Sequence, residues 1–575
     1  MLAAAHRGGP IVQARHSIVA LTVLVALAGC EVGGNNRDGG TSADARVIHC
    51  DSVLDADGDG IYDDFETSFD FDGDGTGNYQ DTDSDGDGFS DAEEHGSDDG
   101  CSARDQDGDG FFDYLDLDRD GDGLSDAEER DRYFTDPSNP DSDGDGFTDL
   151  AEVATGHDPN DASDGIPEDA YYVVLPYMGD AVERELVFGT TVRKADVFFM
   201  MDRTGSMSGE VARLKSGLST IVDQMAASIS DIGVGFGGFA GFGGRAGGPC
   251  MTIPLIGEVC GEGDNADTPF HLYSVITTSR PQMLTDVMAL DADQGGANWA
   301  SSNEALYQAA TGDGILPWVP QQTCTSVPDE VGMRYGYPCF RPGALPIMVV
   351  LTDTSSKNGP HTEGVSGGTY NPSNFTMGPP PHTYAQTLES LQRIGARVIG
   401  VLSGAEITNP TPQRQFETWA RETGTVNASG TPMVFNINGD GSGLDSSIVD
   451  AIRTLAEETP QDISAIVRDG EDRPDGVGPV DANLFIKAIT PVSVFDGTVA
   501  HSCPDASRCD DQQFFDVTPG SRVTFRIRFL NDFQEPRSHA QVFLATIIVL
   551  GNGVAELDAR EVIIVVPSGS VPILI

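Results

Sequence analysis

Carboxylates recur in this sequence at a spacing that suits the capture of a hard cation. Asp-rich loops begin at Asp55, Asp70, Asp83, Asp105, Asp118 and Asp141, at intervals of 15, 13, 22, 13 and 23 residues. The third runs Asp83-Ser84-Asp85-Gly86-Asp87-Gly88-Phe89-Ser90-Asp91-Ala92-Glu93-Glu94, which is D-x-D-x-D-G-x-x-D-x-x-E, a calcium loop. Oxygens at positions 1, 3, 5 and 12 converge on the ion, a backbone carbonyl at 7 adds another, position 9 usually acts through water, and glycine at 6 permits the sharp turn. The expected ligands in this loop are Asp83, Asp85, Asp87, Asp91 and Glu94. Their counterparts are Asp55, Asp57, Asp59, Asp63 and Glu66 in the first loop and Asp118, Asp120, Asp122, Asp126 and Glu129 in the fifth. The last loop offers Asp141, Asp143, Asp145, Asp149 and Glu152. The other two, with Asp70, Asp72, Asp74 and Asp81, and with Asp105, Asp107, Asp109, Asp113 and Asp116, end in aspartate. Asp81 and Asp116 are shorter than glutamate and less suited to bidentate coordination. A disordered acidic tract would not hold glycine and aspartate in one register six times.

A second set of oxygens stands at Asp202-Arg203-Thr204-Gly205-Ser206-Met207 and at Asp353, in Val349-Val350-Leu351-Thr352-Asp353. The elements before and after these residues read as a layered α/β domain. Ala195 to Met201 is apolar apart from Asp196, as expected of a strand buried on both faces. Val211, Leu214, Leu218, Ile221 and Met225 then mark one helix face. Further strands are expected at Ile232–Phe239, Leu345–Leu351, Val398–Leu402 and Met433–Ile437, with helices at Asn303–Ala310, Tyr384–Ile394 and Leu444–Glu457. This alternation predicts a doubly wound (Rossmann-like) parallel sheet over 193–460, which binds ligands beyond the carboxyl ends of its strands. Asp202, Thr204, Ser206 and Asp353 fall there, and carboxylate and hydroxyl oxygens suit magnesium or manganese.

Two resemblances follow from these motifs. The alternating 13 and 22–23 residue spacing, with Thr135-Asp136-Pro137 and Asp158-Pro159-Asn160 between loops, resembles thrombospondin type 3 repeats across 51–168. It implies a calcium-bound stalk with little hydrophobic core and no EF-hand helix pairs. Asp202-Arg203-Thr204-Gly205-Ser206 resembles the first piece of the metal-ion-dependent adhesion site of von Willebrand factor A domains, with Thr204 where serine is usual, and Asp353 matches the third piece. The resemblance implies a receptor in which a partner's carboxylate completes the metal shell. The second piece departs from the family: Gly295-Gly296-Ala297-Asn298 places Ala297, which has no side-chain oxygen, where threonine is usual. Asn298, Ser301 or a water is left to compensate, and the alternative is a loop that binds no metal.

Residues 461–575 read as a β-sandwich. Val523, Phe525, Ile527 and Phe529 alternate with Arg522, Thr524, Arg526 and Arg528. Leu484–Ile489, Phe514–Val517, Val542–Leu550 and Val562–Val566 add strands, with a turn at Gly551-Asn552-Gly553. The flank 169–192 also reads as strands, at Tyr171–Leu175 and Glu185–Phe188. An A domain inserted between two parts of a sandwich resembles the integrin β-subunit arrangement, and implies that 169–192 packs against 461–575.

Composition bounds the function. The 575 residues include 91 acidic and 33 Lys+Arg, a net charge of -58, and 51–170 alone holds 42 Asp+Glu against four Arg. Such a chain repels nucleic acid and anionic lipid head groups. Arg7, Arg15 and His16 precede the apolar run Ile18 to Leu27, and Leu27-Ala28-Gly29-Cys30 follows. Residues 1–29 therefore resemble a bacterial lipoprotein signal with Cys30 as the lipidated residue, or an ordinary secretory signal. Residues 30–50 make a flexible tether. The other eight cysteines suit disulfides outside the cytoplasm; the most local pairing is Cys50–Cys101, Cys250–Cys260, Cys324–Cys339 and Cys503–Cys509. No nucleophile elbow, zinc-protease motif or phosphate loop is present in the sequence, and the expectation is a non-enzyme. Two functions fit: an envelope-anchored, calcium-dependent adhesion receptor for an acidic protein partner, or a structural envelope scaffold with a calcium-stiffened stalk.

Overall fold

The computed structural model describes residues 50–167, 170–242, 251–253, 257–259, 267–292, 300–325, 327, 332–361, 368–375, 378–404, 411–470, 480–503, 508–537 and 539–569. Cys30, the Cys250–Cys260 pairing and Gly295-Gly296-Ala297-Asn298 lie outside the described residues.

In the stalk, the four Glu-ended loops close on short helical turns: α1 Asp63–Glu66, α2 Asp91–Glu94, α3 Asp126–Glu128 and α4 Asp149–Thr155. The two Asp-ended loops instead pass through 3-10 turns at Asn78–Gln80 and Asp113–Leu115. Ser90 caps α2 in a capping box with Glu93, and Thr148 caps α4 through the amide of Ala151. Apolar packing is sparse, with Ile61, Phe65 and Tyr114 forming one small cluster beside the Cys50–Cys101 disulfide.

Two short strands follow, β1 Tyr172–Val174 and β2 Val182–Gly189. The central domain then runs β3 Lys194–Asp202, α5 Ser208–Met225, β4 Asp231–Phe239, a hairpin of β5 Met251–Ile253 and β6 Gly257–Val259, β7 His271–Thr277, α6 Arg280–Asp286 and α7 Ser302–Thr311. It continues with β8 Leu345–Thr352, α8 Tyr384–Arg393, β9 Arg397–Ser403, α9 Thr411–Glu422, β10 Val434–Ile437 and α10 Leu444–Glu457. The sheet order is β10-β9-β8-β3-β4-β7, parallel throughout except for the β7 edge. Alternate residues of β3 serve opposite faces. Val197, Phe199 and Met201 share a core with Leu214 of α5 and Ile448 of α10, whereas Phe198 and Met200 pack with Leu306 of α7, Leu391 of α8 and Trp419 of α9.

Asp196, the one charged residue in the apolar run, has a counterpart in Arg341. The amide of Arg341 donates to Oδ2 of Asp196 at 2.6 Å and its Nε donates to Oδ1 at 2.7 Å, while Nη1 reaches Asp231 at 2.6 Å. Asp196 is fully buried, so Asp196→Ala removes the inner carboxylate and leaves the guanidinium to the more exposed Asp231 at the base of β3. The substitution is expected to cost about 3 kcal/mol, the low end for breaking a buried ion pair, measured by denaturant unfolding of the central domain.

The remaining strands are β11 Gln461–Asp469, β12 Ile486–Phe495, β13 Ala500–Ser502, β14 Gln513–Val517, β15 Arg522–Phe529, β16 Gln541–Gly551 and β17 Ala555–Val566. They form two sheets, β1-β17-β16-β11-β14 and β13-β12-β15-β2. The strands on either side of the central domain thus share sheets: β2 pairs antiparallel with β15, and β1 pairs parallel with β17. Val523, Phe525, Ile527 and Phe529 of β15 are all fully buried, and Phe514 of the first sheet meets Phe525 of the second with ring centroids 5.1 Å apart. β17 begins seven residues before the expected Val562: Ala555 and Leu557 are also buried, and a register shift opposite Val549 and Leu550 changes the inward phase before Val562, Ile564 and Val566.

Candidate metal centres

Each stalk loop is wound by its own aspartates. In the first, the amides of Gly58 and Gly60 donate to Asp55 at 2.7 and 3.2 Å, and the amide of Ile61 donates to Asp59 at 2.8 Å. The last loop repeats this, with Gly144 and Gly146 on Asp141 and Phe147 on Asp145. Both glycines of each pair have positive φ, from 87° and 101° at Gly58 and Gly60 to 80° and 106° at Gly144 and Gly146. Position 4 therefore needs glycine as much as position 6 does.

Position 9 also takes part in winding the loop. In all six loops the amide of position 2 donates to Oδ1 of the residue at position 9: Ala56 to Asp63, Phe71 to Asn78, Ser84 to Asp91, Gln106 to Asp113, Arg119 to Asp126 and Ser142 to Asp149, at 2.8 to 3.2 Å. In two of the loops the anchored side chain also meets a neighbouring loop. Asp91 joins Asp59 and Glu66 of the first loop, and Asp126 joins Asp87 and Glu94 of the third, each triad offering oxygens within 4.8 Å of one another. Within single loops, Asp55, Asp57 and Asp59, Asp70, Asp72 and Asp74, and Asp83, Asp85 and Asp87 also converge. Asp81 and Asp116 accept the first amide of the next loop, from Asp83 at 3.2 Å and Asp118 at 3.1 Å.

These groups fit a divalent cation. Both carboxylate oxygens of Asp57, Glu66 and Glu152 are buried without a hydrogen-bond partner, as are Oδ2 of Asp85, Asp87, Asp120 and Asp143, Oδ1 of Asp118 and Oε2 of Glu94 and Glu129. Unpaired buried carboxylates are costly unless a cation or proton neutralises them. In the ion-free chain burial, followed by the neighbouring carboxylates, pushes Glu66 up to about 9 and Asp118 to about 10.

In the central domain, β3 and β8 end side by side and bring Asp202, Thr204, Ser206 and Asp353 together. Oδ1 of Asp202 accepts the amide of Thr204 at 3.0 Å and its hydroxyl at 2.9 Å, and the hydroxyls of Thr204 and Ser206 are 3.1 Å apart. Oδ2 accepts the hydroxyl of Thr352 at 2.7 Å. Thr352 was not among the expected site residues, although it directly precedes Asp353. Asp202 is fully buried, and burial pushes its carboxyl up to about 6 against the lowering effect of the Thr352 and Thr204 bonds; Asp353 adds to the rise. Arg203 points away, to Asp291 at 2.9 Å. Ser206 and Asp353 line a cleft of about 400 Å³ with Ser355, Ser403 and Gln413. This oxygen lining suits a hard cation. The hydroxyl of Ser301 donates to the carbonyl of Ala240 and also accepts from Tyr370 at 3.2 Å, so it is engaged elsewhere. Glu210, in the first turn of α5, is fully buried behind the cleft wall; it accepts the hydroxyl of Ser403, and its Oε2 has no hydrogen-bond partner. His382 is held by Glu304 at 2.9 Å and stacks on Tyr307 at 3.5 Å, away from either site.

The parallel β10-β9-β8-β3-β4 array, with helices on both faces and an acidic site at its carboxyl edge, is a doubly wound α/β domain of the kind expected for a von Willebrand factor A domain. The stalk carries bacterial TSP3 repeats: residues 83–98, 118–140 and 141–162 match that family model. No curated protein matches the chain. Among solved structures it is similar to a von Willebrand factor type A protein from Catenulispora acidiphila, at 12% identity over 69% of this chain and 75% of that one, with a TM-score of 0.28. It is also similar to the pilus adhesin SpaC from Lactobacillus rhamnosus GG, at 12% identity over 69% of this chain and 46% of the adhesin, TM-score 0.26. A third likeness is to proximal thread matrix protein 1 of the mussel byssus, at 10% identity over 48% and 50% of the two chains, TM-score 0.25. Disulfides join Cys50 to Cys101, Cys324 to Cys339 and Cys503 to Cys509, chemistry typical of proteins outside the cytoplasm. Among the described residues no helix is long and apolar enough to cross a membrane.

Proposed function

We propose that this protein is an adhesion or protein-binding receptor of the bacterial cell envelope, held to the membrane by a lipid on Cys30 and carried on a calcium-dependent stalk. The reading rests on one observation: Ser206 and Asp353 line a cleft at the carboxyl ends of β3 and β8, and the Thr204 hydroxyl, 3.1 Å from that of Ser206, links them to the buried Asp202. Those residues would hold magnesium or manganese, and an acidic side chain of a protein partner would complete the shell. The calcium ions belong to the stalk loops and the two facing sheets form a β-sandwich that supports the A domain. No catalytic role and no nucleic-acid partner is assigned.

A structural scaffold with a non-binding A domain is the second reading, favoured by Ala297 and by the hydrogen bonds that already engage both oxygens of Asp202. Manganese titration of the calcium-saturated full chain separates the two. The receptor reading expects one manganese site that Asp202→Ala removes, together with the far-ultraviolet spectrum of the parent. Identical manganese isotherms for parent and variant would leave the scaffold reading standing.

A further inference from the structure

Loop position 2 distinguishes one stalk junction from its neighbours. In the loops at Asp83 and Asp141 this residue is serine, and its hydroxyl donates to the second oxygen of position 9: Ser84 to Asp91 at 2.6 Å, Ser142 to Asp149 at 2.8 Å. In the loop at Asp118 the same place is taken by Arg119. Its Nε lies 3.0 Å from Oδ2 of Asp126, and its Nη1 donates to Glu94 of the earlier loop at 3.2 Å. Nε donates its hydrogen to the carbonyl of Pro137 at 3.1 Å, so its contact with Asp126 is an ion pair, and the guanidinium stands 4.7 Å from the ring centroid of Phe89. Arg119 is 7% exposed.

Glu94 and Asp126 are two members of the Asp87–Glu94–Asp126 triad. A fixed guanidinium thus joins the two loops through the carboxylates expected to share an ion, and offsets one of their three negative charges. The equivalent triad, Asp59–Glu66–Asp91, has the neutral Ser84 at that place. Charge-assisted bonds to a planar, permanently charged donor in a buried setting are strong.

We propose that Arg119 is a tethered counter-ion that keeps the junction between the Asp83 and Asp118 loops closed when calcium is withdrawn. The Asp59–Glu66–Asp91 junction, which has only a hydroxyl there, opens instead. This proposal rests on the calcium reading of the stalk. The bond from the Arg119 amide to Asp126 and that from the Asp126 amide to Leu117 report whether the Asp118 side of the junction stays folded around the guanidinium.

Amide hydrogen exchange of the full chain, with calcium and with chelator, is the test. In calcium, parent, Arg119→Ser and Arg119→Gln exchange alike across 117–129. In chelator the parent keeps its protection there, while both variants lose it on the order of a hundredfold, the low end for removing one partner of a buried ion pair. Serine already serves at this position in two sibling loops, and Gln keeps length and a donor without charge. Equal exchange of parent and variants in chelator overturns the proposal while calcium protection elsewhere in 51–168 upholds the reading beneath it. Parent-like behaviour of Arg119→Gln alone overturns the counter-ion role in favour of packing on Phe89. Loss of protection by the variants in calcium also overturns it, since Arg119 would then be needed with the ion present. No effect of chelator anywhere in the parent stalk overturns the calcium reading and the proposal together.

Discussion

Withdrawing calcium at about pH 8 expands residues 51–168, and acidifying the same chelated sample to about pH 5 restores much of their compactness. Both expectations come from the buried carboxyls. In the ion-free chain burial pushes Glu66, Glu94 and Glu129 up to about 9 and Asp85 and Asp118 to about 10, with carboxylate neighbours adding to each rise. Unfolded carboxyls titrate near about 4. Between these limits the folded stalk binds more protons than the unfolded chain, so its stability falls as pH rises. This is the reverse of the ordinary surface aspartate, whose folded state is favoured by deprotonation. A bound cation removes the conflict, because its ligands must be deprotonated to hold it. Calcium added to the chelator-free apo chain at about pH 6 therefore releases protons, and its affinity weakens with acid. Small-angle scattering at the two pH values, with and without chelator, checks the expansion, and a pH electrode checks the release. Dimensions that ignore the chelator at about pH 8 would sink the argument.

The loops were legible because their information is local. Aspartate at positions 1, 3 and 5 and glycine at 6 act within a dozen residues, and the pattern repeats in register. What the pattern hid lies between loops. Asp91 completes a triad with Glu66, 25 residues earlier, only because the Ser84 amide fixes its first oxygen and the chain coils back. The doubly wound sheet was equally open to reading: Leu444–Glu457 is a helix with the bounds expected of it, and β8 runs one residue beyond Leu351. Helix α9 was missed, since Thr411–Glu422 has few apolar residues and buries only Phe416, Trp419 and Ala420 among its hydrophobics. Asp202 and Asp353 were found from motif; Thr352 and Glu210 were not, because a threonine in a strand end and a glutamate on a helix carry no distinguishing spacing. Their roles arise from β3, β8 and β9 lying side by side.

Leu150→Asp is expected to release the stalk from the C-terminal sheets even in saturating calcium. The alternation in β17 turns Val562, Ile564 and Val566 into the shared core and leaves Ile563 and Val565 on the outer face. That face is covered by the stalk: Leu124 and Leu150 are 0% and 1% exposed against Ile563 and Val565, with Val542 and Leu544 at the margin. Polar bonds hold the same seam, from the amide and hydroxyl of Ser568 to the Gly123 carbonyl at 3.0 and 2.9 Å, and from the Ala540 amide to Glu128 at 3.1 Å. Gly123 has φ 102°, and a Cβ there would meet Leu150 at 2.5 Å, so close approach as well as the turn requires glycine. The seam is also tied to the ion site, because Asp122, an expected ligand, accepts the amides of both Leu124 and Leu150 at 2.8 Å. Truncation by Leu150→Ala costs about 2–5 kcal/mol by lost packing; a buried charge at the same point favours undocking outright. Exchange of the Ser568 and Ala540 amides should quicken in Leu150→Asp, with calcium uptake by the loops at Asp55 and Asp83 unchanged. Chelator should quicken the same two amides in the parent, yet add little in the variant, since one seam cannot be opened twice. Unaltered exchange at Ser568 and Ala540 in the variant would mean that the outer face of β17 does not depend on the stalk for its cover.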